Sequence, residues 1–319
     1  MLNSIKLIKN RSDIGAGTRG SDMGIDAIEI AAINKQNNYF DQFEFVDVDT
    51  ENESIYNKVN DSFAKRIGNV LTQCKRVSNH VEVTLQEKDF PIVLSGDHSS
   101  ALGSMSGIKA ALPNKTIGVV WIDAHADLHS PYTSPSGNIH GMPLAAALSE
   151  DNLDFQINDI DRETSDLWER MKNITVQGPR VSAENVVYFG VRDTEKPEEK
   201  QIENLQIKNY TVSEIRFRGL EKCVTEAIER LSGCDVIYIS FDVDSMDCDM
   251  ISYGTGTPVA KGFDQEEVTQ IMNQIIDSKK VVCVEFVEVN PILDLKGNKM
   301  AETAFEILDD ITKSVAKSL

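Results

Sequence analysis

The chain has 319 residues, 41% of them hydrophobic and 26% charged, enough apolar material for a large buried core. Its 51 acidic against 32 basic side chains leave a net charge of −19, which repels nucleic-acid phosphates and anionic lipid, so neither nucleic acid nor membrane is expected as a partner. The five cysteines are odd in number and contain no C-x-x-C, which argues against a disulfide framework or a zinc–thiolate site.

The opening MLNSIKLIKNRSD lacks the apolar core of a signal peptide, and no apolar run reaches membrane-spanning length, so a cytoplasmic protein is expected. Next comes GAGTRG at residues 15–20, which matches G-x-G-x-x-G and precedes a helix-like stretch at 22–33. A dinucleotide loop should follow tightly on a buried strand. Here IKLI runs into the polar KNRSD, a poor strand context, so a nicotinamide cofactor is not expected.

Further on, β-rich apolar runs occupy residues 43–48, 91–94, 116–122, 185–189, 236–241 and 280–287. Helix-like patterns fill 56–86, 99–111, 213–231 and 264–278. The polar segment 154–172 reads as a surface helix or an excursion. Most of the strand-like runs are continuously apolar, as in strands covered on both faces. The alternation predicts an α/β class: an open, mostly parallel central sheet flanked by helices, in one domain over residues 1–319.

Such sheets bind ligands beyond the C-terminal ends of their strands. Four of these ends carry acids or histidines: Gly96-Asp97-His98 after PIVL, Asp123-Ala124-His125-Ala126-Asp127 after VVWI, Asp242-Val243-Asp244 after YISF, and Glu288-Val289-Asn290-Pro291 after CVEFV. Four of the five histidines fall between residues 98 and 140. Residues two apart in extended backbone face one side, so Asp123, His125, Asp127, Asp242 and Asp244 can aim into one volume, with His98 as a sixth member. A lone D-x-D or D-x-H usually closes a turn or caps a helix. All six together suggest a metal site of carboxylates and imidazoles without thiolate, suited to Mn²⁺ and open to Co²⁺, Ni²⁺, Fe²⁺ or Zn²⁺. Six ligands are too many for one catalytic ion and fit two ions bridged by carboxylates.

At these motifs, at SGNIHGMPLA (136–145), at Gly256-Thr257-Pro258 and at GTRGSDMG near the start, the chain resembles the ureohydrolase superfamily and, within it, the arginase family. The resemblance implies a three-layer α/β/α fold and a homo-oligomer, trimer or hexamer. It implies two Mn²⁺ per subunit, with Co²⁺ or Ni²⁺ as substitutes, on His98, Asp123, His125, Asp127, Asp242 and Asp244. Asp123 and Asp242 would bridge. The implied reaction converts L-arginine to L-ornithine and urea through a hydroxide bridging the two ions. Asp127 would steer it, His140 would relay protons and Glu288 would hold the guanidinium of a small cationic substrate. Ser136 and Asn138 resemble contacts to the substrate carboxylate, Glu195 the acid near its amino group, and Thr257 a threonine of the substrate pocket. His129 stands where arginases commonly have Asn, and Glu195 where they commonly have Asp. The alternative within the superfamily is a hydrolase of agmatine, a guanidino acid or formimidoylglutamate.

Overall fold

The computed structural model describes residues 2–59 and 62–319; Asn60 and Asp61, inside the helix-like stretch 56–86, lie outside the described residues, as does Met1. Eight strands form one parallel sheet: β1 (Ile5–Asn10), β2 (Glu44–Asp47), β3 (Phe90–Ser95), β4 (Ile117–Ile122), β5 (Val186–Phe189), β6 (Lys208–Tyr210), β7 (Val236–Asp242) and β8 (Val281–Val287). Their order is β2-β1-β3-β8-β7-β4-β5-β6. The late strands β7 and β8 are thus inserted between β3 and β4, and the four strand ends picked out in the sequence become neighbours.

The helices are α1 (Gly24–Asn34), α2 (Tyr39–Gln42), α3 (Ile67–Gln86), α4 (Ala101–Ala111), α5 (Pro143–Leu148), α6 (Arg162–Lys172), α7 (Lys196–Leu205), α8 (Val212–Arg218), α9 (Leu220–Arg230), α10 (Gln265–Ile276) and α11 (Lys299–Ser318). They cover both faces of the sheet. Successive strand residues alternate between two cores, because strand side chains point to opposite faces. Val119 and Trp121 of β4 pack with α3, α4 and α5, whereas Val120 and Ile122 pack with α1, α10 and α11. Burial of each such large apolar side chain contributes about 1.5–3 kcal/mol. Both faces of β3, β4, β5 and β7 are therefore dry, as their continuous apolar runs require, whereas the edge strand β2 is largely exposed. No described helix is long and apolar enough to cross a membrane.

Three expectations change. The segment discounted as poor strand context is β1, an interior strand paired with both β2 and β3. Its polar residues are satisfied by partners far away in sequence: Lys9 Nζ lies 2.7 Å from a Glu29 oxygen and 3.8 Å from the centre of the Phe45 ring, and Asn10 donates to Ser95 Oγ at 2.6 Å. The stretch 213–231 is two helices, α8 and α9, broken at Gly219, where φ is +96°. Of the described residues in 56–86, only those from Ile67 onward form the α-helix α3. The polar segment 154–172 does contain a surface helix, α6, one of its two expected readings, and the inner face of that helix buries Trp168 and Met171.

Candidate metal centre

Register places the site. Ile122 pairs with Phe241 and Phe286 with both Phe241 and Leu94, so the chain leaves β3, β8, β7 and β4 at nearly one level. His98, Glu288, Asp242 and Asp123 therefore emerge side by side, with Asp244, His125 and Asp127 just beyond. The six side chains expected as ligands converge in two groups. His98 Nδ1 lies 3.1 Å from Asp123 Oδ2, 3.1 Å from Asp127 Oδ2 and 3.2 Å from Asp242 Oδ2. His125 Nδ1 lies 3.0 Å from Asp244 Oδ2 and 3.5 Å from Asp123 Oδ1. Asp123 thus gives one oxygen to each group. Asp242 sits with the first, and its other oxygen accepts the N–H of Asp244 at 2.8 Å.

The surrounding bonds fix these orientations. His98 Nε2 meets Ser240 Oγ at 2.7 Å, and its ring stacks on Trp121 at 4.2 Å. Trp121 Nε1 donates to Asp123 Oδ2 at 2.9 Å. Asp244 accepts from the N–H of Ala124 at 3.1 Å and from Thr257 Oγ1 at 2.9 Å. Thr257 therefore reaches the cluster through Asp244. Partners of this kind set the tautomer and the angle of a ligating ring.

Electrostatics show what the cluster lacks. Burial raises the Asp127 carboxyl, the charge of Asp123 raises it further, and it stands at about 7. Burial and the charges of Asp244 and Asp123 push Asp242 well above the carboxylate range. Burial pulls His98 down, yet Asp123, Asp127 and Asp242 together raise it well above an ordinary imidazole. Crowded carboxylates of this kind call for positive charge. His98 Nδ1 and Asp127 Oδ2 are buried without a hydrogen-bond partner, although three carboxylate oxygens surround that nitrogen. Aspartate oxygens and imidazole nitrogens converging around unpaired atoms fit divalent cations. Asp127 also adopts φ +51°, a backbone state that costs an aspartate of the order of 1–3 kcal/mol and often marks functional positions.

Beside the cluster opens a cavity of about 230 Å³, lined by His98, Asp127, His129, Ser136, His140 and Glu195 among others. Glu288, at φ +67°, accepts from the His98 N–H at 3.1 Å and meets His140 Nδ1 at 2.9 Å through Oε1. Its Oε2 is buried and unpartnered. Gly256 keeps that side open, since a Cβ there would stand 3.6 Å from Oε2. Burial lowers the His140 pKa, but the charges of Glu288, Asp127 and Asp97 lift it to about 9. Asn138 does not line the cavity. Its amide packs on Gly17, and its Oδ1 accepts from Lys65 Nζ at 3.2 Å.

Glu195 caps α7, and its carboxylate lies 3.1 Å from His129 Nε2. His129, the two-residue neighbour of Asp127, also meets Thr133 Oγ1 at 3.1 Å. Sequence reasoning missed Asp193, which lines the cavity 3.6 Å from His125 Nε2, and Glu198, buried under the same cap and 3.5 Å from His129. A charge run hid Glu198. The available signal was the reciprocal E-x-x-E capping box, with Pro197 just inside the helix, which turns Glu198 inward. Burial raises Glu198 to about 7 despite backbone donors at Glu195 and Leu128. Its unfolded value is near 4.3, so ionised Glu198 opposes folding increasingly as pH rises from there to about 7. The melting temperature of Glu198→Gln should therefore overtake that of the parent between pH 5 and 8, read by thermal denaturation. A difference that does not vary with pH would contradict this.

The GAGTRG loop is absorbed by the same site. The N–H of Gly15 donates to Asp97 Oδ2 at 2.9 Å, its carbonyl accepts from the N–H of His140, and a Cβ at Gly15 would meet Asp97 and Ser99 at 2.7 Å. The glycines permit close packing over the cluster.

The chain matches the arginase family model over residues 4–313. It is 36% identical over 313 residues to the arginase of Bacillus subtilis, covering 98% of each chain. A crystal structure of B. subtilis arginase superposes with a TM-score of 0.79 at 35% identity, covering 97% of this chain and 98% of that one. Entamoeba histolytica arginase in complex with L-ornithine superposes with a TM-score of 0.83 at 25% identity over 99% of each chain. The family-model match, the convergent acids and histidines, and likeness over nearly the whole length make one conclusion: the chain belongs to the arginase family.

Proposed function

We propose that this chain hydrolyses the guanidinium of L-arginine to L-ornithine and urea, with two divalent cations, Mn²⁺ first among them, held by His98, Asp123, Asp127 and Asp242 on one side and by Asp123, His125, Asp242 and Asp244 on the other. The observation that carries the reading is Asp123, shared between two His/Asp groups beside a buried, unpartnered Glu288 oxygen. Bound cations of this kind act as Lewis acids and bring the pKa of water towards neutrality.

The chain's own residues do the rest. A guanidinium is planar and permanently cationic, so it seeks a carboxylate acceptor. Glu288 Oε2 offers one, while its Oε1 is held by His98 N–H and by His140. His140 Nδ1 is occupied by Glu288, which leaves Nε2 to pass a proton to the departing amine and to recover it from solvent. Asp127 faces His98 through Oδ2, so its other oxygen is left to take the proton of the attacking water and hand it on to the departing amine. Ser136, His129 and Glu195 line the part of the cavity left for the amino-acid end of the substrate. The N–H of Asn138 donates to Ser136 Oγ at 3.2 Å and so ties its loop to this wall. The likeness to an arginase that holds L-ornithine supports the amino-acid substrate over agmatine, which lacks the carboxylate.

Chelator-stripped protein should release no urea. Added Mn²⁺ should restore release from L-arginine, with Co²⁺ and Ni²⁺ tried in parallel and agmatine and guanidino acids as competitors. Urea from agmatine but not from arginine would move the assignment to the alternative. No urea from any guanidino compound, whichever cation is supplied, would end it.

A further inference from the structure

Arg192 stands just past β5, where Gly190 turns the chain at φ +91°. Its N–H and that of Asp193 both donate to the carbonyl of Ala124, at 2.8 and 3.0 Å, which ties this corner to the end of β4. The side chain reaches in the other direction, into the loop that leaves β7 at Asp244 and returns at Phe263. Nη2 donates to the carbonyls of Asp244 at 3.0 Å, Val259 at 2.9 Å and Met246 at 3.4 Å. Nη1 donates to Ser245 at 3.2 Å and to Gly190 at 3.0 Å, and Nε donates to Ala260 at 3.0 Å. All six acceptors are backbone carbonyls. Three belong to the outgoing arm of the loop and two to the returning arm, so one planar group holds the two arms at a fixed separation.

That loop carries Asp244 and Thr257. Asp244 takes the N–H of Ala124 on one oxygen and Thr257 Oγ1 on the other. Both donors belong to segments that Arg192 also grips, Ala124 through its carbonyl and Thr257 through the loop base. The His98 half of the cluster is fixed otherwise, by Ser240, Trp121 and the backbone of β3. Only arginine offers five N–H donors in a rigid plane; a lysine has three from a single atom and cannot span both arms.

We infer that Arg192 is a positioning residue for one half of the metal centre, setting where the Asp244 carboxylate stands and so the affinity of the His125–Asp244 subsite, while leaving the His98–Asp127 subsite alone. This rests on the two-cation reading of the site but not on the identity of the substrate.

The test uses Mn²⁺ alone, titrated into the metal-free chain and followed by electron paramagnetic resonance and calorimetry. The parent should take up two Mn²⁺. In Arg192→Met the step that His125→Asn also weakens should fall about 10- to 100-fold, the usual consequence of removing an outer partner of a ligand, while the other stays within about twofold. Arg192→Lys, which keeps the charge but not the fork, should show the same selective loss, and it serves if the methionine variant does not fold. Adding Arg192→Met to His125→Asn should weaken Mn²⁺ binding no further, because both act on one subsite. Equal weakening of both steps, no weakening, or full recovery with lysine would overturn the inference. A parent that binds two Mn²⁺ yet makes no urea would refute arginine hydrolysis and leave this inference standing.

Discussion

Asp242→Asn protein should lose at least about 10³-fold in arginine turnover while its metal-free form melts at a higher temperature than the parent. The two effects have one cause. Asp242 is buried at the centre of the cluster, and burial together with Asp244 and Asp123 raises its carboxyl well above the ordinary range. Ionised Asp242 is therefore a strain on the empty fold, tolerated because a cation would neutralise it. Asparagine keeps the acceptor for the Asp244 N–H and removes the charge. It also turns an amide N–H₂ toward the space between His98 and Asp127, which repels a cation. The stability gain should grow as pH rises above the unfolded aspartate value near 3.9 and vanish below it, where the parent carboxylate is protonated in both states. Melting curves with and without Mn²⁺, metal content and urea release measure all three parts. Full turnover by Asp242→Asn would contradict the site assignment.

Glu288→Gln is the second large effect, and it should separate substrate binding from metal binding. The carboxylate meets His140 and the N–H of His98 through Oε1 and leaves Oε2 buried without a partner. Glutamine has nearly the same shape, so the expected change is electrostatic. Removing one partner of a buried ion pair costs about 3–5 kcal/mol. Here the loss falls on the complex with the guanidinium, so kcat/KM should drop about 10²- to 10⁴-fold. Mn²⁺ content should stay at the parental level, because Glu288 belongs to neither His/Asp group. Loss of metal from Glu288→Gln would show that the carboxylate supports the cations and not the substrate.

His129 and Glu195, which depart from the common arginase residues, prove to be one unit. The imidazole and the carboxylate lie 3.1 Å apart, with buried Glu198 behind them. Two departures that are separate in sequence thus form a single pair on the cavity wall, and they should be exchanged together in any study of substrate preference.

The sequence by itself determined the fold class and the chemistry. Continuously apolar runs demand a sheet covered on both faces, because each buried strand has no polar side to show to water. The six acids and histidines stand at strand ends, five of them in two-residue steps, and that much needs no structure. What tertiary packing alone decided is who meets whom. The insertion of β7 and β8 between β3 and β4 is what brings His98 and Asp242 together, and no local pattern encodes it. β1 escaped notice because the partners that make Lys9 and Asn10 acceptable inside the sheet, Glu29, Phe45 and Ser95, come from other elements. Glu198 looked solvated because only the cap on α7 turns it inward, and Arg192 looked like any other arginine because its acceptors are main-chain carbonyls as many as 68 residues away. A chain's own pattern reports the local costs of burial, whereas compensation between distant groups is visible only once the fold has set them side by side.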